Sequence, residues 1–269
     1  MFFAGAFIGS FVLPRLADFY GRRPVYLFGL ILFAATDFCY PFSTTLYLNY
    51  ALVFLGGISE SARYYVGFVY LQELMPSSFQ TYSGLLIFVV HAVAKILYDL
   101  YFYKMTKSWL YISGFSIILV LLAIVSVIFL MPESPRYLSS RGRKSQAFNS
   151  FQRMRDINNG YPFKQRVTNK NERTMSWSGV QLIPKDSDVQ VEIKLVPYIK
   201  GNRTFLVNVL VMMVNWSCSS FCFYLIPYFI TKLTGSAASS LNVFQLSLAQ
   251  STGELFACGF SVILARSLP

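Results

Sequence analysis

The chain has 269 residues, of which 55% are hydrophobic and only 13% charged, whereas an ordinary soluble domain carries roughly 25% charged residues. This composition excludes a disordered chain, a coiled coil, a collagen and a disulfide-rich scaffold, and it predicts a polytopic membrane protein. The net charge of +11 would suggest nucleic acid for a soluble protein, but 14 of the 23 Lys and Arg lie in residues 132–203. We therefore expect the anionic surface of a lipid bilayer as the partner, and no nucleic acid.

Seven apolar segments predict transmembrane helices, at residues 1–13, 24–40, 46–72, 82–103, 109–130, 205–230 and 238–264. The fold class is thus an all-α, polytopic transmembrane helical bundle. A long polar stretch divides the chain into an N-terminal bundle (1–131), a central cytoplasmic loop (132–203) and the start of a C-terminal bundle (204–269).

Within the loop, residues 139–158 predict one amphipathic interfacial helix, and residues 160–188 predict a flexible linker. The apolar face of that helix consists of Ala147, Phe148, Phe151 and Met154.

The basic residues also predict the orientation. If the first helix ends in the cytoplasm, the inner segments hold twelve Lys and Arg and the outer segments three. The positive-inside rule therefore places the turns after the first, third and fifth spans in the cytoplasm. It also places Met1 outside, and we expect that a preceding helix is absent from this chain.

The first cytoplasmic turn contains an ordered set of residues with physical roles. Gly21 allows a tight reversal, and Pro24 suits the first position of the next helix. Arg22 and Arg23 hold the turn at the anionic surface, while Asp18 is a lone acid that needs a positive partner. Any two-helix hairpin can use a Gly-Arg-Arg-Pro turn, but the ordered combination favours a functional motif.

Two other cytoplasmic turns carry acids. Glu73 precedes Pro76 at the end of the third span, and Glu133 lies in the sequence Pro-Glu-Ser-Pro-Arg-Tyr-Leu (132–138) after the fifth. Together with arginines on the same face, these acids predict a salt-bridge network that holds the helices in one conformation and releases them in another. The arginines are Arg15, Arg22, Arg23 and Arg136. The predicted gate consists of Asp18, Gly21, Arg22, Arg23, Glu73, Glu133 and Arg136.

These motifs resemble those of the major facilitator superfamily. Asp18-x-x-Gly-Arg-Arg is similar to its signature between the second and third helices. Glu73-x-x-Pro76 and residues 132–138 resemble motifs after the fourth and sixth helices of the sugar-porter and organic-ion (organic cation) transporter branches. The resemblance implies a partial chain that covers helices two to eight of a twelve-helix transporter, with the three turns as its inner gate. One departure is Gln80, where these branches usually have Arg.

Charged residues inside the predicted spans indicate a pathway, because an unpaired charge at mid-bilayer costs about 2.5–3.5 kcal/mol. Glu60 and Arg63 are three residues apart on one helix and can pair. His91, Lys95 and Asp99 are successively four residues apart and form a polar stripe that should face the bundle interior. The pathway candidates are Glu60, Arg63, His91, Lys95, Asp99 and Glu254.

Counting Asp37, the spans contain four acids against two bases. Two acids therefore lack an intramembrane partner, which favours a cationic substrate or a proton-linked pathway. In the alternative, Asp37 and Asp99 lie near the outer surface and are hydrated.

The leading functional prediction is a multi-pass membrane solute transporter that works by alternating access, in the plasma membrane or an internal one. Its expected partners are the lipid bilayer and a small-molecule solute, an organic cation or a sugar, with proton coupling open. The alternative is a truncated or non-transporting scaffold component derived from such a transporter. A seven-helix receptor lacks support because its Asp/Glu-Arg-Tyr and Asn-Pro-x-x-Tyr motifs are absent. We expect no enzyme, cofactor or metal site.

Overall fold

The computed structural model describes residues 1–76, 79–105, 108–157, 207–208, 210–215, 217–218, 221, 225 and 243–267. Every regular element in this part of the chain is a helix, which confirms the all-α prediction. The chain divides into two units, Met1–Phe88 with Lys107–Lys164, and Val89–Thr106 with Gln165–Pro269.

The first unit begins with two apolar helices, α1 (Phe2–Tyr20) and α2 (Arg22–Cys39), joined by a one-residue turn. A 3₁₀ turn (Tyr40–Phe42) extends α2. The predicted first span, 1–13, is too short, because α1 continues through Pro14. A proline is tolerated inside a transmembrane helix when neighbouring groups satisfy the freed backbone.

The predicted span 46–72 is confirmed as helical, but it is not uniform. It consists of α3 (Leu46–Ser61), a π-helical turn (Ala62–Val66) and α4 (Gly67–Leu74). A π-helical turn inserts an extra residue into the helix and re-aims the side chains that follow. Arg63, one of the pathway candidates, lies in this turn.

The next two spans agree with the sequence to within two residues at each end, as α5 (Gln80–Lys104) and α6 (Leu110–Phe129). Four helices in the described part are long and apolar enough to cross a membrane: Phe2–Tyr20, Arg22–Phe42, Tyr82–Lys104 and Leu110–Phe129. Large apolar side chains lie on their outer faces, among them Phe7 (66% exposed) and Phe129 (68% exposed). Such apolar surface is stable only against lipid or another protein.

Small residues bring α1 and α3 into backbone contact. A Cβ atom on Gly57 would overlap the carbonyl oxygen of Phe2, so no larger residue fits between the helices. At the same interface, the Ser61 hydroxyl donates a hydrogen bond to the Ala6 carbonyl at 2.8 Å. Close approach of this kind drives helix association in membranes, where burial of apolar surface contributes little.

The predicted single helix over 139–158 is wrong, because the structure has two helices there, α7 (Pro135–Ser140) and α8 (Lys144–Ile157). The break lies at Gly142, whose φ of +73° is readily adopted by glycine. Ala147 on α8 is buried against Tyr137 and Leu138 of α7, so α8 packs on α7 through its predicted apolar face. The predicted linker at 160–188 lies outside the described residues.

The second unit contains the C-terminal part of α5 and a final helix, α9 (Val243–Ser267). The described part of the predicted seventh span, 238–264, is therefore helical. The sixth, 205–230, falls largely outside the described residues, although the described positions within it are helical.

Candidate functional site

Arg22 is the centre of the predicted gate. Its Nε lies 3.2 and 3.1 Å from the two carboxylate oxygens of Glu73 on α4, and Nη2 also donates to Glu73 at 3.1 Å. Its Nη1 lies 2.8 Å from the Asp18 carboxylate and donates to the Ala17 carbonyl. Arg22 thus joins α1, α2 and α4, and Asp18 has the positive partner that the sequence requires. Arg22 and Glu73 are only 14% and 17% exposed, so water screens their pair less than a surface pair.

Glu133 caps the start of α2. Its Oε1 accepts the backbone N–H groups of Arg22, Arg23 and Ser134 at 3.0, 3.2 and 2.9 Å, and Oε2 accepts from Arg23 at 3.3 Å. The first N–H groups of a helix have no partner inside the helix and form the positive end of its dipole, so a carboxylate is stabilising there. The sequence predicts Glu133 as a salt-bridge partner of arginine side chains, whereas the structure pairs it with backbone.

The turn before α2 requires glycine for two reasons. Gly21 has φ +115°, which side chains rarely adopt. A Cβ atom at this position would also lie 2.5 Å from Oε2 of Glu133. The Gly21 turn therefore makes room for the carboxylate that caps α2.

The next residues of the same motif build α7 and attach it to α1. The Ser134 hydroxyl accepts the Tyr137 N–H at 3.1 Å, and Pro135 follows at the first helical position, as in a standard N-cap. The Tyr137 ring centroid lies 4.8 Å from the Arg22 guanidinium carbon, a cation–π distance. Its hydroxyl donates to the Phe19 carbonyl at the end of α1 at 2.8 Å.

The other expected arginines take different positions. The Arg136 side chain reaches the Met75 carbonyl beyond α4, at 3.5 Å. Arg15 is exposed and forms no ion pair within the described residues. Among the four arginines expected in the network, Arg22 alone binds a carboxylate through its side chain in this part of the chain.

The Arg23 side chain caps the C-terminal end of α6. Its Nε and Nη2 donate to the carbonyls of Val127 and Ile128 at 3.3 and 2.6 Å. Arg153 on α8 donates to the next carbonyl, that of Phe129, at 2.7 Å. The last carbonyls of a helix lack intrahelical partners and carry the negative end of the dipole, so cations are favourable there.

The sequence analysis missed three contacts, of which the Arg153 contact is one. In the second, the Arg141 side chain donates to the Asp18 carbonyl at the end of α1. In the third, the hydroxyl of buried Tyr70 donates to the Pro132 carbonyl. A basic residue in a polar loop carries no local signal for its acceptor. The high density of arginines in residues 136–155 was the sequence signal for such contacts.

At Gln80, where related motifs have Arg, the structure has an uncharged contact. The Gln80 amide donates to the Gln72 carbonyl at 2.9 Å, and the Gln72 amide donates to the Gln80 carbonyl at 3.1 Å. This reciprocal pair closes the turn between α4 and α5.

Within the spans of the first unit, Glu60 and Arg63 form the expected ion pair. The Arg63 guanidinium carbon also lies 3.8 Å from the Phe33 ring centroid, and its Nε is buried without a hydrogen-bond partner. A cavity of about 300 Å³ adjoins this arginine. Its aromatic lining consists of Tyr26, Tyr64, Phe68 and Tyr70.

In the second unit, the polar stripe of α5 contacts α9. Nδ1 of His91 lies 3.3 Å from Oε1 of Glu254, and Nζ of Lys95 lies 3.8 Å from Oε2. Oε2 of Glu254 is buried and accepts no hydrogen bond. Glu254 therefore lies between two groups that can carry positive charge.

Asp99 is held by hydroxyl groups of α9. The Ser247 hydroxyl lies 2.9 Å from both carboxylate oxygens, and Ser251 donates to Oδ2 at 3.0 Å. Asp99 is 8% exposed. In the first unit, Asp37 similarly accepts from Ser113 at 3.0 Å.

The intramembrane charges of the described residues fall into two groups. Two bases pair with two acids, and the remaining acids, Asp37 and Asp99, are bonded to serine hydroxyls. No group of three His, Cys, Asp or Glu is placed to hold a metal ion among the described residues.

Comparison with known proteins identifies similar sequences. The sequence family described as sugar (and other) transporter matches residues 1–264. The Xenopus tropicalis protein named solute carrier family 22 member 15-like is 31% identical over 156 residues, which are 57% of this chain and 31% of that protein. Solute carrier family 22 member 15 of the same organism is 26% identical over 230 residues, 83% of this chain and 39% of the relative.

A human protein, organic cation/carnitine transporter 2, is 28% identical over 153 residues, 55% of this chain and 26% of its own length. The chain thus spans between 26% and 39% of the length of these three relatives.

Proposed function

The chain belongs to the sugar (and other) transporter family, and on that premise we propose that it moves a small organic solute across a membrane by alternating access. The observation that carries the proposal is the family match over residues 1–264, which includes all three turn motifs. The family expected from those motifs is thereby confirmed. The chain is an integral multi-pass membrane protein, in agreement with the four long apolar helices in its described part.

We infer that the network around Arg22 is the gate on the face predicted to be cytoplasmic. Arg22 binds Glu73 on α4 and Asp18 on α1 through its side chain, and α2 itself is capped by Glu133. These contacts are polar and directional, so they break as a set when the helices separate. A set of ion pairs between helices has two discrete arrangements, formed and broken, which a gate requires.

The solute that fits the intramembrane charges best is an organic cation. Asp99 and Asp37 have hydroxyl partners but no ion pair within the described residues, which leaves negative charge inside the spans. A cation that enters a low-dielectric pathway gains most from such a carboxylate. One of the relatives bears the name organic cation/carnitine transporter 2, which agrees with this choice over a sugar. In the first unit, Arg63 lines the 300 Å³ cavity and pairs with Glu60, and both are proposed pathway residues.

Proton coupling is assigned to the group formed by His91, Lys95 and Glu254. Glu254 has a buried oxygen without a hydrogen bond, and its carboxylate lies between the His91 ring and the Lys95 ammonium group. Ionisable residues inside spans often serve as proton relays, and these three also connect α5 to α9.

The test is an uptake assay in cells that express the product of the full transcript. We expect uptake of a small quaternary ammonium compound above the background of cells with an empty vector, and no comparable uptake of a hexose. Asp99→Asn should reduce uptake tenfold or more at equal surface expression, because it removes the charge that attracts the solute. Asp156→Asn, an exposed acid on α8, is the matched control and should transport normally.

Three results would contradict parts of the proposal. Hexose uptake alone would replace the cation by a sugar, and unchanged transport by Asp99→Asn would remove this residue from the pathway. Correct membrane insertion without uptake of any solute would favour the scaffold alternative. For the proton proposal, Glu254→Gln should abolish the dependence of uptake on external pH. If the Glu254→Gln variant keeps this pH dependence, the proposed role of Glu254 in proton coupling is refuted.

A further inference from the structure

A second cavity lies outside the proposed transport pathway, on the face predicted to be cytoplasmic. It has a volume of about 370 Å³ and lies where α2 begins and α7 and α8 pack against the bundle. All of its lining residues belong to the first unit. The lining includes Arg23, Arg143 and Arg153.

The cavity carries an excess of positive charge. Glu133 is the one acid among its lining residues, and its oxygens already accept the N–H groups at the start of α2. Arg23, Arg143 and Arg153 form no ion pair with a described carboxylate. Three arginines therefore line one cavity, while the oxygens of its single carboxylate accept backbone N–H groups.

The guanidinium groups retain free donors. A guanidinium has five N–H groups. In the described contacts, Arg23 uses its Nε and Nη2 on α6 carbonyls, and Arg153 uses its Nη2. Arg143 and Arg153 are both exposed, and the side chain of Arg143 forms no hydrogen bond in the described part. The side chains of Gln146 and Asn149 add amide donors to the same wall.

This chemistry suits a phosphate group. Arginine donates paired hydrogen bonds that match phosphate oxygens, and a phosphate carries enough charge and acceptors for several arginines at once. We propose that the cavity binds a phosphate-bearing anion, which is either the headgroup of an anionic membrane lipid or a soluble phosphate compound. The inner surface of a membrane offers both sources.

Binding would strengthen the contacts beside the gate. Arg23 is next to Arg22 at the start of α2, whereas Arg143 directly precedes α8 and Arg153 lies within α8. A phosphate held by all three joins α8 to α2 at the position where Glu133 caps α2. The ligand therefore stabilises the closed network, and its removal loosens it.

The experiment measures the thermal stability of the purified chain in uncharged detergent at low salt. One arm titrates dioctanoyl phosphatidylinositol 4-phosphate, with dioctanoyl phosphatidylcholine as the lipid control. The other arm titrates inorganic pyrophosphate. Arg143→Gln removes a guanidinium that forms no side-chain hydrogen bond in the described part, so folding should survive. Arg155→Gln, an exposed arginine of α8 outside the cavity lining, is the matched control.

We expect the phosphoinositide, the pyrophosphate or both to raise the melting temperature. The apparent affinity should fall about tenfold in Arg143→Gln, the loss of one charge-assisted hydrogen bond, and stay within about twofold in Arg155→Gln. A response to the lipid alone identifies a headgroup site, and a response to pyrophosphate assigns a soluble phosphate. No response to either probe would overturn the proposal. Equal weakening by the two variants would also overturn it, because it would show unspecific attraction to a basic surface.

Discussion

Replacement of Glu133 by Gln or Ala separates charge from hydrogen bonding at the start of α2. Gln keeps one oxygen that can accept the three N–H groups now at 2.9–3.2 Å, and loses the oxygen with the longer 3.3 Å contact. Ala removes every acceptor. We therefore expect stability to decrease from Glu to Gln to Ala at this position.

The magnitudes follow from the contacts. Loss of a carboxylate charge at a helix N-terminus costs about 1 kcal/mol, the upper range for exposed sites. An N–H group that loses its acceptor in a buried site costs about 1–3 kcal/mol. Glu133 serves Arg22, Arg23 and Ser134, and water partly replaces it because the site is only part-buried. We expect about 1 kcal/mol for Glu133→Gln and about 3 kcal/mol for Glu133→Ala.

The assay is denaturation of the purified chain in mixed micelles, followed by helical circular dichroism. Asp156→Asn removes the same charge from an exposed position of α8 and should change the free energy of unfolding by less than about 0.5 kcal/mol. Equal losses for Glu133→Gln and Glu133→Ala would show that hydrogen bonding is irrelevant. A loss of similar size in Asp156→Asn would show that net charge, rather than capping, sets stability.

Two other predictions use the same denaturation measurement. Gly57→Ala should lower the free energy of unfolding by about 1–3 kcal/mol, because the new Cβ atom overlaps the backbone of α1. Gly56→Ala is the matched control: it has open space around it and should raise the free energy of unfolding by up to about 1 kcal/mol. Equal effects of the two substitutions would refute the packing argument. Tyr70→Phe should cost about 1–2 kcal/mol because the Pro132 carbonyl loses its buried donor. Tyr26→Phe, whose hydroxyl has no hydrogen bond in the described part, should change stability little, and an equal loss would contradict the role of the Tyr70 hydroxyl.

The transmembrane helices could be predicted from the sequence because a long apolar composition is by itself enough to make a helix cross a membrane. Apolar length fixed the bounds of α5 and α6 closely. Apolar length predicted the wrong end for α1, which continues through Pro14. Whether a proline ends a helix depends on neighbouring helices rather than on local sequence. The same holds for the π-helical turn at Ala62–Val66, which depends on packing.

In the candidate site, too, contacts within one helix were predictable from the sequence, whereas contacts between distant segments were not. Pairs within one helix, such as Glu60 with Arg63, follow from spacing and were predicted. Contacts between distant segments depend on tertiary structure: Glu133 lies 111 residues from Arg22, and nothing in the local sequence shows that it caps a helix backbone. The serines around Asp99 were missed for the same reason, as they lie on α9.

The central claim is that these apolar helices cross a bilayer and that the Arg22 network lies on its cytoplasmic face. The direct test labels single cysteines with a membrane-impermeant maleimide, in a version whose four native cysteines are serine. Thr44→Cys, in the exposed turn before α3, should react in intact cells. Ser145→Cys, exposed on α8, should react only after permeabilisation. Labelling of Ser145→Cys in intact cells, with Thr44→Cys protected, would contradict the account.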